Sequence, residues 1–444
     1  MAGSDTRGPN KWVQLAALCT VPLIMVLGNS MLIPVLPDMG RQMDLDKSTT
    51  GLAVTAFSLA AGIAIALAGF FADRYGRKVV IVPSLLLYGL GGFISGLGAW
   101  LLAENGFFIV MVGRVVQGLG AAGTAPVAMA FVGDLFKGPE RVSALGILEA
   151  SNGLGKVVSP ILGALVGALL IWWGVFFAYA FMAIPFALAV WFLTKEPRRE
   201  KAGSARQYFG AVWDVFKKKG VPLTACFWAG SVALFILFGV LFFLSEHLES
   251  AHAIDGVPKG WLIMWPVLAM SITSFTSGMY LQRHENLLKS AVVAGLTILV
   301  AGMALVAFIP EDWAFFTGII VGGVGTGLQL PGLNNLVTSA ASTEQRAGIT
   351  SIYGAVRFFG VAFGPPLYGA LMAVSDALPF WFSAILAAIT LAITIFFIHP
   401  DTLMGTGGSG GGGGGKSQGK QLPGWQVPGT LPGGTRGDTY EPLG

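Results

Sequence analysis

Long apolar runs broken by short polar loops fill the chain from residue 12 to residue 399. A bilayer-spanning helix needs about 20 mostly apolar residues. Twelve runs qualify: 12–37, 49–72, 78–102, 106–133, 141–170, 173–194, 221–246, 259–281, 288–309, 313–338, 345–373 and 377–399. The fifth and eleventh are long enough to hold interfacial turns. The pattern predicts an all-α membrane protein with twelve transmembrane helices.

Composition agrees with the pattern. Of 444 residues, 54% are hydrophobic and only 11% charged, against roughly 25% charged in an average soluble protein. So few charges cannot cover a water-facing surface, and the mean hydropathy of +0.71 points the same way. The net charge of +4 carries no message about nucleic acid, and none is expected as a partner. Cys19 and Cys226 both lie inside apolar runs and form no disulfide framework or metal-ligand spacing. The first apolar run is too long for a cleavable signal, and no small-residue cleavage site follows it.

Lys and Arg set the orientation. With a cytoplasmic N-terminus, 21 of the 27 fall on the inner side. Only Arg41, Lys47 and Lys259 fall outside, and Arg114, Lys156 and Arg357 lie within runs. Both termini are therefore expected in the cytoplasm, in an integral protein of the plasma membrane.

The chain divides into an N-terminal tail (1–11), a six-helix bundle (12–194), a linker (195–220), a second six-helix bundle (221–399) and a tail (400–444). The linker carries eight basic and three acidic residues. Its stretch Tyr208 to Phe216 is apolar at helical spacing, with Lys217, Lys218 and Lys219 following. It reads as an amphipathic helix on the inner leaflet, or as a plain solvated linker. An internal repeat supports the division. At a constant offset of 205, Gly113 matches Gly318, Gly118 matches Gly323, Gly120 matches Gly325 and Pro126 matches Pro331. Arg141 matches Arg346, Gly155 matches Gly360 and Pro160 matches Pro365 at the same offset. Two bundles related by pseudo-symmetry, with a substrate site near the midplane between them, are the architecture such repeats build. The Gly/Pro-rich tail cannot form a core and is expected to be disordered. Its run Gly407 to Gly415 reads as an engineered linker or a natural tail. The phosphate-loop match ending in Lys416 and Ser417 lacks the strand and helix that such a loop needs. Arg436-Gly437-Asp438 is read as chance.

The loop after the second run reads Gly69-Phe70-Phe71-Ala72-Asp73-Arg74-Tyr75-Gly76-Arg77-Lys78. An acid followed by three cations at a helix end can pair with neighbouring helix termini. It is also what a simple positive-inside stop contains. The spacing resembles the signature loop of the major facilitator superfamily, Gly-x-x-x-Asp-Arg-x-Gly-Arg-Lys. In the second half the matching loop is reduced to Gly278, Gln282 and Arg283. The stretch Gly113-Arg114-Val115-Val116-Gln117-Gly118 is similar to the Arg-x-x-Gln-Gly motif of that family's twelve-span drug:proton antiporter branch. Gly155-Lys156-Val157-Val158-Ser159-Pro160-Ile161-Leu162-Gly163 resembles its antiporter motif, with Ser159 where Gly is usual. The resemblance covers about residues 12–399. It implies the major facilitator fold and proton-coupled antiport by alternating access. It also implies a gating role for Gly69, Asp73, Arg74, Gly76, Arg77, Asp134, Gly155, Ser159, Pro160 and Gly163.

Charges inside spans are costly, about 2.5–3.5 kcal/mol each at mid-helix on translocon scales, and usually face a cavity. Arg114, Glu149, Lys156 and Arg357 are such residues. Glu149 is the one acid well inside a run, which makes it the natural proton carrier, with Arg114 the second proton-coupling candidate; the alternative is a structural ion pair between the two. Lys156 shares a helix face with Glu149 two turns away, about 10 Å along the axis, too far for a short direct pair. The antiporter motif does not call for this lysine. It either balances Glu149 or serves an anionic or neutral substrate. The repeat sets Arg357 opposite Asn152. Asn152, Asn334, Gln329 and Asn29 are candidate cavity residues beside Lys156 and Arg357, as is Asn335, or they bond between helices. Phe235, Phe238, Phe242 and Phe243 read as packing. The four His lie in loops or at span ends, so no metal site is expected, and no cofactor. No nucleophile–base pair points to an enzyme, and no filter motif points to a channel. The expected function is efflux of small amphiphilic molecules, of the multidrug-resistance type. An anionic metabolite such as a siderophore or a lipid-linked anion is the alternative substrate. The protein is expected to act as a monomer.

Overall fold

The computed structural model describes residues 10–196, 205–342 and 345–404. The expectations for residues 1–9, for 197–204 and for the tail beyond 404 lie outside the described residues. The rest is helical, in the twelve places that the apolar runs anticipate. These are α1 (Lys11–Ser30), α2 (Lys47–Tyr75), α3 (Arg77–Leu102), α4 (Phe107–Ala122, continued by Ala125–Leu135) and α5 (Gly138–Leu170). They continue with α6 (Gly174–Leu193), α7 (Ala205–His252), α8 (Gly256–Leu281) and α9 (Leu288–Phe308). The last three are α10 (Asp312–Ser339), α11 (Arg346–Met372) and α12 (Leu378–Phe397).

Local chemistry sets the helix ends. Asp46 accepts from the Thr49 N–H at 2.8 Å and caps α2. Gly76, at φ 118°, makes the reversal between α2 and α3 that a side chain would oppose. The carboxylate of Glu196 then caps α3, accepting from the N–H groups of Arg77 at 2.6 Å and Lys78 at 3.2 Å.

Three runs differ from the expected shape. The first is broken after Ser30, where Pro34 and Pro37 force a 3₁₀ turn and a new short helix, Leu36–Gln42. The fourth breaks at Thr124, whose backbone (φ −105°, ψ −97°) precedes Pro126. Its repeat counterpart α10 runs unbroken past Pro331. The seventh extends back through the linker as one helix with a kink at Lys219, placing residues 205–218 on a helix as the amphipathic pattern suggests. Val215 is buried and Phe216 stacks edge-on against Phe227, so part of the apolar face packs on the second bundle.

Glycines let the helices meet backbone to backbone. A Cβ at Gly113 would lie 2.5 Å from the Ser95 nitrogen of α3, and one at Gly318 would lie 2.6 Å from the Gly302 oxygen of α9. Likewise Gly118 abuts Phe57 of α2, and its repeat partner Gly323 abuts Pro266 of α8. The matched positions therefore do the same packing work in each half. Large apolar side chains such as Phe181 and Phe192 point outward, where a lipid solvent suits them.

The halves touch through α2 with α11 and α5 with α8. Gly51 meets the Pro365–Pro366 backbone, Gly369 meets Lys47, and Gly260 meets the Pro160 carbonyl. These contacts lie toward the end away from the linker. Toward the linker end, a methyl group added at Gly153 or Gly146 of α5 would meet nothing within 4 Å. The space between the halves therefore widens in that direction.

Candidate functional site

The face of α5 that carries Gly146 and Gly153 also carries Glu149, Asn152 and Lys156, at spacings of three and four residues. Glu149 is exposed on this face rather than sunk in packed protein. Lys156 is partly buried one to two turns deeper and lies within electrostatic reach of both Glu149 and Arg357. Arg357 enters from α11. Its Nη1 donates to Asn334 Oδ1 at 3.4 Å and its guanidinium lies 5.4 Å from the Tyr353 ring centre. Its Nε is shielded and has no hydrogen-bond partner, and the same holds for Asn152 Oδ1. Asn334 is exposed and Asn335 half-buried. Lys156, Arg357, Asn152 and Asn334 thus belong to one polar region with Glu149 at its edge. Buried polar atoms are usually hydrogen-bonded, so these two shielded atoms stand out in the region.

Three candidates sit elsewhere. Arg114 does not pair with Glu149: its Nε donates to Ala53 O at 2.9 Å and its Nη1 to Gly28 O and Gln117 Oε1, both at 2.8 Å. Its Nη2 donates to Asn29 Oδ1 at 2.7 Å, and Phe57 lies under the guanidinium at 4.5 Å. Fully buried, Arg114 ties α1, α2 and α4 together by main-chain and amide oxygens. Asn29 belongs to the same network and passes a 2.7 Å hydrogen bond to Ser58. Gln329 is fully buried where α10 meets Gly295 of α9, with both amide atoms unpartnered. It lies in a helix seam and not in the open space, because Gly295 leaves room there for its stem.

At the linker end, Arg77 holds Asp73 at 2.9 Å and Asp134 at 3.2 Å, joining α2, α3 and α4. Arg74 stays outside this cluster, exposed beside the Tyr75 ring. Gly69 lies half-buried in the last turns of α2. On α5, Gly155 and Gly163 pack against α1 at Leu23 and Met31. Ser159 turns its hydroxyl back to the Lys156 carbonyl at 3.0 Å, and the Pro160 carbonyl faces α8. The motif therefore shapes both the α1 seam and the contact between halves.

Residues not singled out from the sequence close the far end. Glu249 pairs with Arg41 from the other half and with Lys259 at 2.7 Å. Glu246 lies 3.8 Å from Lys47, and Ser245 donates to Ile33 O at 2.9 Å. Thr55 and Ser48 of α2 donate to the Ala362 and Pro366 carbonyls of α11 at 2.6 and 3.0 Å. The available signal was the opposite charge of Glu246 and Glu249 to the few cations on that side.

A helical bundle with a polar, cation-rich space between two repeat-related halves defines a secondary transporter. The family model described as Major Facilitator Superfamily matches residues 18–258 and 239–427, and the chain belongs to that superfamily. It is 39% identical over 387 residues to the bacillibactin exporter of Bacillus subtilis (strain 168), covering 86% of this chain and 96% of that protein. It is 26% identical over 402 residues to multidrug resistance protein 1 of the same organism, covering 88% and 97% respectively. Among solved structures it resembles a bacterial homologue of the human lysosomal transporter Spinster. There the TM-score is 0.72 at 16% identity, over 90% of this chain and 99% of that one. The protein is an integral membrane exporter of the superfamily.

Proposed function

We propose that this exporter exchanges protons for an anionic metabolite of the siderophore kind, taken up from the cytoplasm at the linker end. Glu149 carries the proton. Lys156, Arg357, Asn152 and Asn334 contact the substrate, and the Arg77 cluster gates the linker end. The observation that supports this reading is the pair of cations, Lys156 and Arg357, within reach of each other and of a single acid. Like charges brought together away from bulk water repel strongly. An anion between them removes that repulsion, and a cationic drug would add to it. The relative named a bacillibactin exporter supports the same class of cargo. Protonating Glu149 removes the one negative charge near Lys156. The charge on Glu149 therefore changes what the neighbouring cations attract, which links the proton to the cargo.

The test is flux into inside-out vesicles energised by a pH gradient, with a catecholate siderophore and a neutral drug as cargo. Glu149→Gln is expected to abolish pH-driven flux while substrate still raises thermal stability. Lys156→Ala is expected to weaken the anion about tenfold or more and the neutral drug little. Normal pH-driven flux in Glu149→Gln defeats the proton assignment. Equal affinities for both cargoes in Lys156→Ala defeat the anion assignment.

A further inference from the structure

A second cluster of titratable groups lies at the far end of the C-terminal half. His247 and His252 stand on the last turns of α7, and Asp312 opens α10. Their ligand atoms all fall within 4.8 Å of one another. The two His are five positions apart, more than one helical turn, so their side chains do not leave the same helix face. α7 ends just after them, at Ala253, which takes a positive φ of 52°. The Ile254 N–H then bonds back to the Leu248 carbonyl at 2.9 Å, and the two imidazoles lie 5.3 Å apart. A non-glycine residue in that conformation carries strain that the local structure must hold.

We propose that His247, His252 and Asp312 bind a divalent transition-metal ion of the zinc class. Tetrahedral zinc has bonds of about 2.0–2.1 Å, which sets its ligand atoms roughly 3.4 Å apart. His252 Nε2 and Asp312 Oδ1 are already 3.4 Å apart. The remaining pairs lie within 4.8 Å of one another, at most about 1.4 Å beyond that spacing. His252 Nε2 is shielded from solvent without a hydrogen-bond partner, and a metal supplies the partner that a neutral imidazole nitrogen lacks. His247 is held between the Phe243 and Phe315 rings at 5.5 and 4.7 Å, an apolar wall that limits competing water. The charges facing His247 are His252 on its own helix, Asp312 on α10, Asp376 before α12 and Lys47 on α2. Two carboxylates against one lysine favour a cation, and Lys47 is drawn aside by Glu246 at 3.8 Å. Two imidazole nitrogens select zinc-like ions over magnesium or calcium, which take oxygen ligands. Asp312 is exposed, so a coordination position stays open to water or another donor.

The experiment uses the full chain, purified without a polyhistidine tag and stripped with a chelator. Zn²⁺ titration is followed by calorimetry and thermal melting, and Co²⁺ titration by visible absorption. Saturable one-to-one Zn²⁺ binding is expected, with a raised melting temperature, no response to Mg²⁺, and the intense absorption of tetrahedral Co²⁺. His252→Ala and Asp312→Asn should each weaken Zn²⁺ more than about tenfold. A double variant at His284 and His399 should bind as the parent does. Asp312 is exposed, so Asp312→Asn reports on the site even where His252→Ala fails to fold. Absence of Zn²⁺ binding, or equal binding by Asp312→Asn and the parent, overturns the proposal.

Discussion

Arg114 gives the sharpest separation between holding the fold together and carrying protons. Replacing it with Leu removes three hydrogen bonds that tie α4 to Gly28 and Asn29 of α1 and to Ala53 of α2, and one to Gln117 within α4. Interhelical hydrogen bonds in membranes average about 0.6 kcal/mol and reach about 1.7. The three interhelical bonds therefore place the loss at about 2–5 kcal/mol, before counting the carbonyls left unsatisfied. With roughly 2 cal/mol/K of unfolding entropy per residue, that lowers the melting temperature by roughly 2–6 °C. Arg114→Lys keeps the charge but has three donors on a flexible stem in place of a planar fork, so it recovers only part of the loss. The assay is thermal melting of the purified protein in detergent, paired with pH-gradient-driven flux. Arg114→Leu is expected to melt early and lose flux together. Glu149→Gln is expected to melt normally and lose only the pH-driven component. If Arg114→Leu melts within one degree of the parent while shifting the pH dependence of flux, the bracket is wrong and Arg114 belongs to coupling.

Two further outcomes follow from backbone geometry. Gly163→Ala puts a Cβ 2.0 Å from the Met31 carbonyl oxygen, and α1 must move, at a cost of about 1–3 kcal/mol. Gly153→Ala, with nothing within 4 Å, gains up to about 1 kcal/mol of helix propensity; opposite shifts in melting temperature check the pair. Asp46→Ala should cost about 1 kcal/mol as a lost helix cap, measured by melting across pH. Hydrogen bonds from the Thr49 N–H and hydroxyl hold the Asp46 carboxyl below its usual range. Its contribution is therefore present above the unfolded value near 3.9 and lost as pH falls through the lower folded value. Parent and variant should converge in strong acid; an unchanging gap would refute the cap's charge.

The spans were legible because lipid demands long apolar helices and little else looks like them. Breaks inside spans were less so. Pro126 and Pro331 match in the repeat, yet one precedes a break and the other sits in a continuous helix. The charged residues of the central region were found because a charge in lipid is costly enough to signal function. Their partners were not: two of the four acceptors of Arg114 are main-chain carbonyl oxygens, which every residue possesses. The three ligand candidates of the His cluster were invisible for another reason. Sixty residues separate His252 from Asp312, and only the packing of α7 on α10 joins them. Asn29 and Gln329 show the limit of residue type, since an amide in a span serves equally as substrate contact or as helix glue.

The contact between α2 and α11 is built from Gly51, Gly62 and Gly369 lying on backbone and on one ring, Phe359. Interlocked side chains resist sliding, since each must lift out of its socket before the next can enter. A smooth strip has no sockets. Alternating access would then roll one half on the other along these glycines, past the side-chain cluster of Ile65, Ala355 and Phe358, with the bonds of Thr55 and Ser48 passing to other carbonyls. Such a joint makes speed, rather than strength, the property most sensitive to substitution. A methyl group added at Gly51 would act like grit in a bearing, slowing turnover even where both end states survive intact.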